Sequence, residues 1–238
     1  MRIAIVIPVK DEDPAALEAL LSVATVDKWQ SKHAWETLIV DDGSVVPVPA
    51  RYRALRFETS QGYGAALKAG MLLAHQPDYI VTCDGDGQHR WQDIQRLVEF
   101  VEEFPECAMV IGNRRVVETS FKRYVGRKCL NMLASVFAWS WIPDLNSGLR
   151  IIKWEALKGY LPILCNSFSF TTSLTMAMLC DGYRIDWLPI RVLPRPSGQS
   201  HVRVLRHGWI TLWYIVVIGL ALRTRRLRSW VRPLWQPA

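Results

Sequence analysis

The stretch Tyr79–His89 reads YIVTCDGDGQH, an apolar segment that runs directly into a turn carrying two carboxylates. Continuous apolar residues are typical of a buried strand, and the glycines at 85 and 87 let the backbone turn sharply after it. The next segment, Trp91–Glu103, has the apolar spacing of a helix that covers a core with one face. The stretch therefore predicts a strand, a turn and a helix, the repeating unit of an α/β fold.

The same alternation of strand and helix signals runs along most of the chain. Further strands are predicted at Ile3–Val9, Thr37–Val40, Leu55–Glu58 and Ala108–Gly112, and further helices at Ala15–Ala24 and Ala65–Leu73. Apolar strands in this order predict a mainly parallel sheet with helices on both faces. The chain has 238 residues, half of them apolar, which is enough for one α/β domain with a sizeable core. We place that domain at residues 1–205.

Cysteine usage and the start of the chain both predict a protein of the reducing cytosol. The five cysteines form no C-x-x-C pair, so neither a disulfide framework nor a zinc site is expected. The apolar run at residues 3–8 is too short for the core of a signal peptide, and we expect it to be the first strand.

The net charge of +7 is concentrated at the end of the chain. Residues 201–238 hold seven arginines and no acid, whereas the remaining 22 Lys and Arg are balanced by 22 Asp and Glu. The tail, residues 206–238, also contains the apolar run 209–222, which would form a helix about 21 Å long. Because the hydrocarbon core of a bilayer is about 30 Å thick, a clean single span is not expected.

We predict instead that the tail forms an apolar and basic helix associated with a membrane surface. Tryptophans would lie at the interface and arginines on anionic head groups. A helix buried in the core is the alternative, but it leaves the arginines at 223, 225, 226 and 228 unexplained. Nucleic acid is not an expected partner, because the aromatic residues form one apolar block. The expected location is the cytoplasmic face of the cell membrane, peripheral or monotopic.

The turn that follows the strand at residue 79 carries the residues expected to bind a metal ion. Asp84 and Asp86 can direct both carboxylates at one hard divalent cation, and Gln88 can add a neutral oxygen. Mg²⁺ or Mn²⁺ held by so few ligands keeps open positions, which the phosphate oxygens of a substrate fill. Taken alone, the same pattern is also that of a simple polar turn.

Two other strand ends bring polar residues to the same edge of the predicted sheet. Pro8–Glu12 follows the first strand and Asp41–Ser44 the second, and α/β folds bind ligands at the carboxyl ends of their strands. Acidic side chains at Glu12 and Asp42 can accept hydrogen bonds from a base and a ribose. The first strand lacks the glycines of a nicotinamide-binding turn, and the chain has no G-x-x-x-x-G-K-[ST] loop. These absences argue against dehydrogenase, kinase and ATPase functions.

Seven motifs resemble those of the family 2 glycosyltransferases and occur in the same order. With x for any residue, they are I-P-V-x-x-E at 7–12, V-D-D-G-S at 40–44, G-x-G-A-A at 62–66, D-x-D-G-Q-H at 84–89, G-N-R at 112–114, D-x-x-S-G-x-R at 144–150 and R-x-x-G-x-S at 195–200. Within that family the resemblance is to the dolichol- and polyprenyl-phosphate sugar synthases. It implies a single GT-A domain that uses Mg²⁺ or Mn²⁺. The implied reaction moves a sugar, with inversion, from a UDP- or GDP-linked donor to a dolichyl or undecaprenyl phosphate.

The resemblance also implies roles for single residues. On the donor side these are Pro8, Glu12 and Asp42 at the nucleoside, Asp84 at the ribose and diphosphate, and Asp86 and Gln88 at the metal, with Asp84 as a third ligand. On the acceptor side, Arg114, Arg127 and Arg195 would surround the donor diphosphate and the acceptor phosphate. Ser147 would help to seat that phosphate.

Elementary chemistry agrees with a phosphate acceptor. A lipid phosphate has a second pKa of about 6, so at pH 7 it is already a largely ionised nucleophile and needs no general base. The transfer needs cations that neutralise the departing diphosphate and hold two anions together. A sugar hydroxyl would need a base instead, and Asp144 is the candidate.

Two alternative functions therefore stay open. The first is a family 2 enzyme that extends a saccharide in cell-surface polysaccharide synthesis. The second is a non-catalytic membrane adaptor with the same fold, against which the intact Asp84, Asp86 and Gln88 argue.

Overall fold

A computed structural model describes residues 1–24, 32–52, 54–114, 121–193 and 209–221. Its strands are β1 Arg2–Val9, β2 Ala34–Asp41, β3 Leu55–Arg56, β4 Tyr79–Thr82, β5 Met109–Arg114, β6 Arg150–Lys153 and β7 Ile185–Ile190. Its α-helices are α1 Pro14–Ala24, α2 Tyr63–Leu73, α3 Trp91–Glu103, α4 Phe121–Ala138, α5 Trp154–Leu157, α6 Phe170–Cys180 and α7 at 209–221. Short 3-10 turns occur at Ala50–Tyr52 and Lys158–Tyr160.

The strands form one sheet in the order β3-β2-β1-β4-β6-β5-β7. Every neighbouring pair is parallel except the two that include β6, which runs antiparallel to both β4 and β5. The predicted mainly parallel sheet is therefore confirmed, with one reversed strand that the sequence did not predict. Because Arg150 pairs with Thr82 and Ile111, the loop before β6 lies at the carboxyl edge of the parallel strands.

Helices cover both faces of the sheet, as the continuous apolar strands predict. Alternate residues of β1 enter opposite cores: Ile3, Ile5 and Ile7 pack with α1 and α3, whereas Ala4 and Val6 pack with α2, α4, α6 and α7. Alternation of this kind is what the twofold period of a strand requires when both faces are buried. The sheet edge is thus held rigidly between two cores.

The predicted element boundaries agree with the structure to within a few residues. The helix at Trp91–Glu103 has the predicted bounds, whereas β2 begins three residues earlier than predicted, at Ala34. Helix α2 begins at Tyr63 and not at Ala65, because Gly62, with a φ of 101°, already forms its N-cap.

Helix α6 is fully buried although it reads FTTSLTMAMLC. Its hydroxyls satisfy their hydrogen bonds locally or with the neighbouring loop. Ser173 donates to the Phe170 carbonyl at 2.9 Å, Thr175 to the Thr171 carbonyl at 2.8 Å, and Thr172 to Asn146 Oδ1 at 2.7 Å. A polar helix can therefore fill the core beside the carboxyl edge without unpaired hydroxyls.

Helix α7 covers nearly the whole predicted apolar run and has two different sides. Ile215 is fully buried in the core shared with α4 and α6, and Gly219 is so close to Phe137 of α4 that an added Cβ would lie 2.8 Å from its ring. The opposite side, with Trp209 and Trp213, is exposed.

Exposed apolar residues also follow one side of α4 and the turn after it. We call the combined exposed set on α4, on that turn and on α7 the apolar face: Val125, Met132, Val136, Trp139, Trp141, Trp209, Trp213, Val217 and Leu220. Trp139 and Trp141 are 84% and 73% exposed. Among the helices of the described ranges, none combines the length and the apolar character needed to cross a membrane. The basic residues predicted beyond position 221 lie outside the described residues.

We expect Leu67→Ala to lower the free energy of unfolding by about 2 to 5 kcal/mol, because Leu67 of α2 is fully buried and its truncation leaves a cavity. The control is Leu72→Ala on the same helix, where the side chain is 68% exposed and the expected change is within about 0.5 kcal/mol. Urea denaturation of the two variants measures the difference. Equal losses would contradict the assignment of this helix face to the core.

Candidate active site

The loops after β1 and β2 are fastened to each other by side chains. Asp11, with a φ of 52°, donates its N–H to Ser44 Oγ at 3.0 Å and accepts the Val45 N–H at 2.7 Å. Asp41 is buried and accepts hydrogen bonds from the N–H of Ser44 at 2.8 Å and from Arg56 Nη1 at 2.5 Å. Burial raises the pKa of Asp41, but these hydrogen bonds outweigh it and hold the pKa below its usual value. The loops after β1 and β2 are therefore held in a fixed position relative to each other.

Asp42 uses its carboxylate to shape the loop before α2. It accepts hydrogen bonds from Ser60 Oγ at 2.7 Å, from the Gln61 N–H at 2.6 Å and from the Gly62 N–H at 3.0 and 3.1 Å. The three residues predicted to contact the nucleoside therefore lie in different environments. Asp42 is buried and committed to this loop, Pro8 is buried in β1, and Glu12 is partly exposed beside it. Their contact with a nucleoside stays a prediction.

Asp84 lies where three elements meet. Tyr63 of α2 donates its hydroxyl to Asp84 Oδ1 at 2.8 Å, and His89 Nε2 lies 3.4 Å from Oδ2. On the third side, a Cβ added to Gly148 would lie 2.2 and 2.4 Å from the two carboxylate oxygens, so any side chain at this position would have to displace the Asp84 carboxylate. Burial raises the pKa of Asp84, but His89, Tyr63 and Arg114 outweigh it and lower the pKa. Asp84 is therefore an ionised carboxylate that has little room to move.

The other two predicted metal ligands follow in the same turn. Asp86 is buried and accepts the Gln88 N–H at 3.1 Å, whereas the Gln88 side-chain amide nitrogen donates to the Leu193 carbonyl at 3.0 Å. The amide oxygen of Gln88 is then the atom of that side chain that could coordinate a cation. In the described ranges no group of three or more His, Cys, Asp or Glu side chains is placed to share a metal. Two carboxylates and an amide oxygen are a hard donor set that fits Mg²⁺ or Mn²⁺ with several positions left for substrate oxygens.

Arg114 and Asp144 form a bidentate ion pair across the edge of the sheet. Arg114 Nε and Nη2 donate to the two oxygens of Asp144 at 2.8 and 3.1 Å, and the Arg114 N–H adds a third contact at 3.3 Å. Asp144 is completely buried, while the side chain of Arg114 keeps 25% of its surface exposed. Burial raises the pKa of Asp144, but the charge and hydrogen bonds of Arg114 outweigh it and hold the pKa below its usual value.

Arg150 holds the loop between Asp144 and β6. Its buried guanidinium donates to the carbonyls of Leu145 at 2.7 Å and Thr171 at 3.0 Å and to Thr175 Oγ1 at 2.6 Å, and its Nε donates to the Ser147 carbonyl at 2.8 Å. Ser147 itself is fully buried, and its Oγ has no hydrogen-bond partner in the described structure. A buried hydroxyl without a partner is an exception among buried polar groups, and it marks Ser147 within this loop.

The strand ends thus bring together most of the residues that the sequence selected. Asp42, Asp84, Asp86, Arg114, Asp144 and Ser147 all lie at the carboxyl edge of the sheet. Arg127 lies on α4 with a half-buried side chain, and Arg195 lies outside the described residues. The sequence analysis did not select Tyr63, His89 or Arg150. His89 and Arg150 each had a signal, their places in the motifs at 84–89 and 144–150.

A family profile described as Glycosyl transferase family 2 matches residues 4–169 of the chain. The chain belongs to glycosyltransferase family 2. This confirms the resemblance seen in the motifs, and it makes the chain a glycosyltransferase by family.

Several curated relatives are similar over most of the chain. An uncharacterised protein of Methanocaldococcus jannaschii is 25% identical, covering 86% of this chain and 89% of its own. An undecaprenyl-phosphate 4-deoxy-4-formamido-L-arabinose transferase of Salmonella choleraesuis is 27% identical, covering 96% of this chain and 70% of its own. The dolichyl-phosphate beta-glucosyltransferase of Saccharomyces cerevisiae is 23% identical over 79% of this chain, which spans 66% of that enzyme.

Solved structures of glucosyl-3-phosphoglycerate synthase from Mycobacterium tuberculosis have the same fold. The complex with UDP aligns with a TM-score of 0.65 at 18% identity, covering 92% of this chain and 80% of that one. The complex with Mn²⁺, UDP-glucose and glycerol 3-phosphate aligns with a TM-score of 0.63 at 17% identity, covering 93% of this chain and 79% of that one. The likeness supports the GT-A architecture of the family 2 domain.

We expect Gly148→Ala to lower the rate of sugar transfer by about 10- to 100-fold, because the new methyl group must displace the Asp84 carboxylate. The control is Gly159→Ala, where an added Cβ meets nothing within 4 Å. Initial rates, measured alongside thermal unfolding, separate a local displacement from a loss of fold. Normal rates in Gly148→Ala would show that the position of Asp84 is not critical.

We expect Asp144→Asn to lower the free energy of unfolding at pH 7 by up to about 3 to 5 kcal/mol, with partial exposure of Arg114 reducing the loss. Since the folded-state pKa of Asp144 is depressed, its stabilisation is present above the unfolded pKa of about 3.9 and is lost as pH falls through the folded value. The gap between wild type and variant should therefore narrow in acid.

Urea denaturation between pH 7 and pH 3 measures that gap. Asp186→Asn is the control, because the pair between Asp186 and Arg184 is partly exposed and worth at most about 1 kcal/mol. A gap for Asp144→Asn that stays constant down to pH 3 would contradict the ion-pair interpretation.

Proposed function

We propose that the protein transfers a sugar from a nucleotide-diphosphate-sugar to a polyprenyl phosphate at a membrane surface. The observation that carries the proposal is the state of Asp144, whose two oxygens are both engaged by Arg114 in a fully buried ion pair. The names of the yeast and Salmonella relatives, which act on dolichyl and undecaprenyl phosphate, support the same acceptor class.

The ion pair makes Asp144 a poor general base. A base for a sugar hydroxyl must reach the reacting proton and bind it well, and a carboxylate with a lowered pKa and two guanidinium hydrogen bonds does neither. This disfavours a saccharide acceptor that relies on Asp144. A phosphate acceptor, largely ionised at neutral pH, needs no such residue.

What a phosphate acceptor needs is positive charge and hydrogen-bond donors. Arg114 is held in place by Asp144 and still exposes a quarter of its side chain, so it can present N–H groups to an anion. Ser147 adds a hydroxyl without a partner in the described structure. We assign Arg127 and Arg195 to the same anion on the basis of the family resemblance.

On the donor side, Asp84, Asp86 and Gln88 would hold Mg²⁺ or Mn²⁺, which neutralises charge on the departing diphosphate. Pro8 and Glu12 would contact the nucleoside, and Asp42 would act through the loop that it shapes. Asp84 stays ionised and confined, so it can orient a cation or a ribose without rearranging.

The transfer itself is a single displacement. A phosphate oxygen of the acceptor forms a bond to the anomeric carbon as the bond from that carbon to the diphosphate oxygen breaks, and the nucleoside diphosphate leaves. Attack from the face opposite the leaving group inverts the anomeric centre. The chain supplies positioning and charge for this step and accepts no proton.

The apolar face supports attachment to a bilayer surface. Exposed tryptophans at 139, 141, 209 and 213 are amphipathic side chains suited to the interface. Large exposed apolar side chains on two helices that pack together are suited to contact with a membrane. We assign it to shallow insertion at the cytoplasmic face, where a polyprenyl phosphate presents its head group.

Sugar transfer from labelled UDP- and GDP-sugars, with Mn²⁺ or Mg²⁺ and with or without polyprenyl phosphate, tests the function. We expect label in the organic phase only when metal and lipid phosphate are both present. Asp86→Ala should lower the rate by about 10²- to 10³-fold, because a principal charge-stabilising element is lost.

Glu99→Ala, an exposed carboxylate on α3, is the matched control and should leave the rate unchanged. Label that enters an added saccharide and not the lipid would replace the proposed acceptor. Near-normal activity of Asp86→Ala would remove this residue from the metal site, and donor binding without any transfer would favour an adaptor.

We expect Trp139→Ser/Trp141→Ser to weaken binding to vesicles that contain anionic phospholipid by at least about 10-fold, since each substitution removes a large apolar side chain from the interface. Vesicle co-sedimentation measures the change. The control is Leu72→Ser, an exposed apolar residue on α2 outside the apolar face. Unchanged binding of the double variant would show that this turn does not contact the membrane.

A further inference from the structure

Tyr63 occupies the first position of α2, and its backbone is held from two sides. The N–H of Gly62, immediately before it, is bound by the Asp42 carboxylate, and the N–H of Ala65 donates to the Asn166 carbonyl at 3.1 Å. Gly62 leaves no room for a side chain, because an added Cβ would lie 2.5 Å from the same Asn166 carbonyl. The backbone of Tyr63, from which the phenol extends, is therefore held in a fixed position.

The ring of Tyr63 is also fixed. It stacks on Phe168 with ring centroids 5.3 Å apart and an interplanar angle of 19°. Phe168, which is 38% exposed, lies two residues before α6, whose residues are all buried, so the stack connects Tyr63 to the start of that helix.

The hydroxyl of Tyr63 contacts the carboxylate of Asp84. It donates to Oδ1 at 2.8 Å, while Gly148 closes the space behind both carboxylate oxygens. The phenol O–H is the donor in this hydrogen bond and the carboxylate oxygen is the acceptor.

We infer that Tyr63 is a positioning residue that holds the Asp84 carboxylate in the orientation required to bind a divalent cation, and that Phe168 holds Tyr63 in turn. This inference rests on the metal site of the proposed function and adds two residues to it. Side chains that orient a metal-binding group in this way commonly change metal affinity by about 10- to 100-fold when they are removed.

The test is the affinity of the protein for Mn²⁺ in the presence of saturating UDP or GDP, followed by the electron paramagnetic resonance of free Mn²⁺. We expect Tyr63→Phe to weaken Mn²⁺ binding by about 10-fold or more. Phe168→Leu, which leaves the hydroxyl in place and removes the stack, should weaken it in the same direction by less.

Tyr160→Phe is the matched control, because Tyr160 also donates its hydroxyl to an aspartate, Asp181, on an exposed part of the surface. It should bind Mn²⁺ as wild type does. Wild-type affinity in Tyr63→Phe would overturn the positioning role and leave the metal site standing. Should Tyr63→Phe not fold, an unchanged affinity in Phe168→Leu would overturn the role instead. A wild-type protein that binds no Mn²⁺ would overturn the metal site and this inference together.

Discussion

The buried guanidinium of Arg150 is the interaction on which the rest of the site depends. Removing this group from water is costly, and burial lowers the pKa of Arg150 to about 10, which still leaves it charged at neutral pH. The cost is offset by three backbone carbonyls and a threonine hydroxyl that surround it. Those carbonyls belong to the loop before β6 and to α6. One cation therefore sets where Asp144 meets Arg114 and where Gly148 meets Asp84.

The elements with strong local patterns could be predicted from the sequence alone. The apolar run of β4 and the amphipathic helix α3 are specified by their own residues, and the turn between them carries both candidate metal carboxylates. The parallel direction of β1, β2 and β4 follows from the same pattern, because parallel strands need a crossover connection and a helix commonly supplies it. The prediction succeeded for elements whose pattern is contained in their own short segment of the chain.

The features that were not predicted depend on contacts between distant residues. The reversed direction of β6 follows from pairing Arg150 with Thr82, residues 68 positions apart, which no local pattern reveals. Asp42 was selected as a ligand residue, yet its carboxylate binds a loop about 20 residues away. The sequence predicts Asp144 as a candidate base, but it does not reveal the pairing with Arg114. That pairing decides the role, because the pKa of a carboxyl group depends on the groups around it. Family motifs name such residues but do not say what they touch.

Helix α7 has a further consequence through Ile215, which fills the same core as α2, α4 and α6. An anchor joined to a domain by a linker can be removed without harm, but this helix supplies packing to the domain and, in the proposed function, also presents an exposed face to the bilayer. Removal of the chain from residue 209 onwards would expose to water the apolar surface of α4 and α6 that α7 covers. In the proposed function, attachment to the membrane and solubility of the domain are therefore properties of one helix, and selection cannot change either without affecting the other.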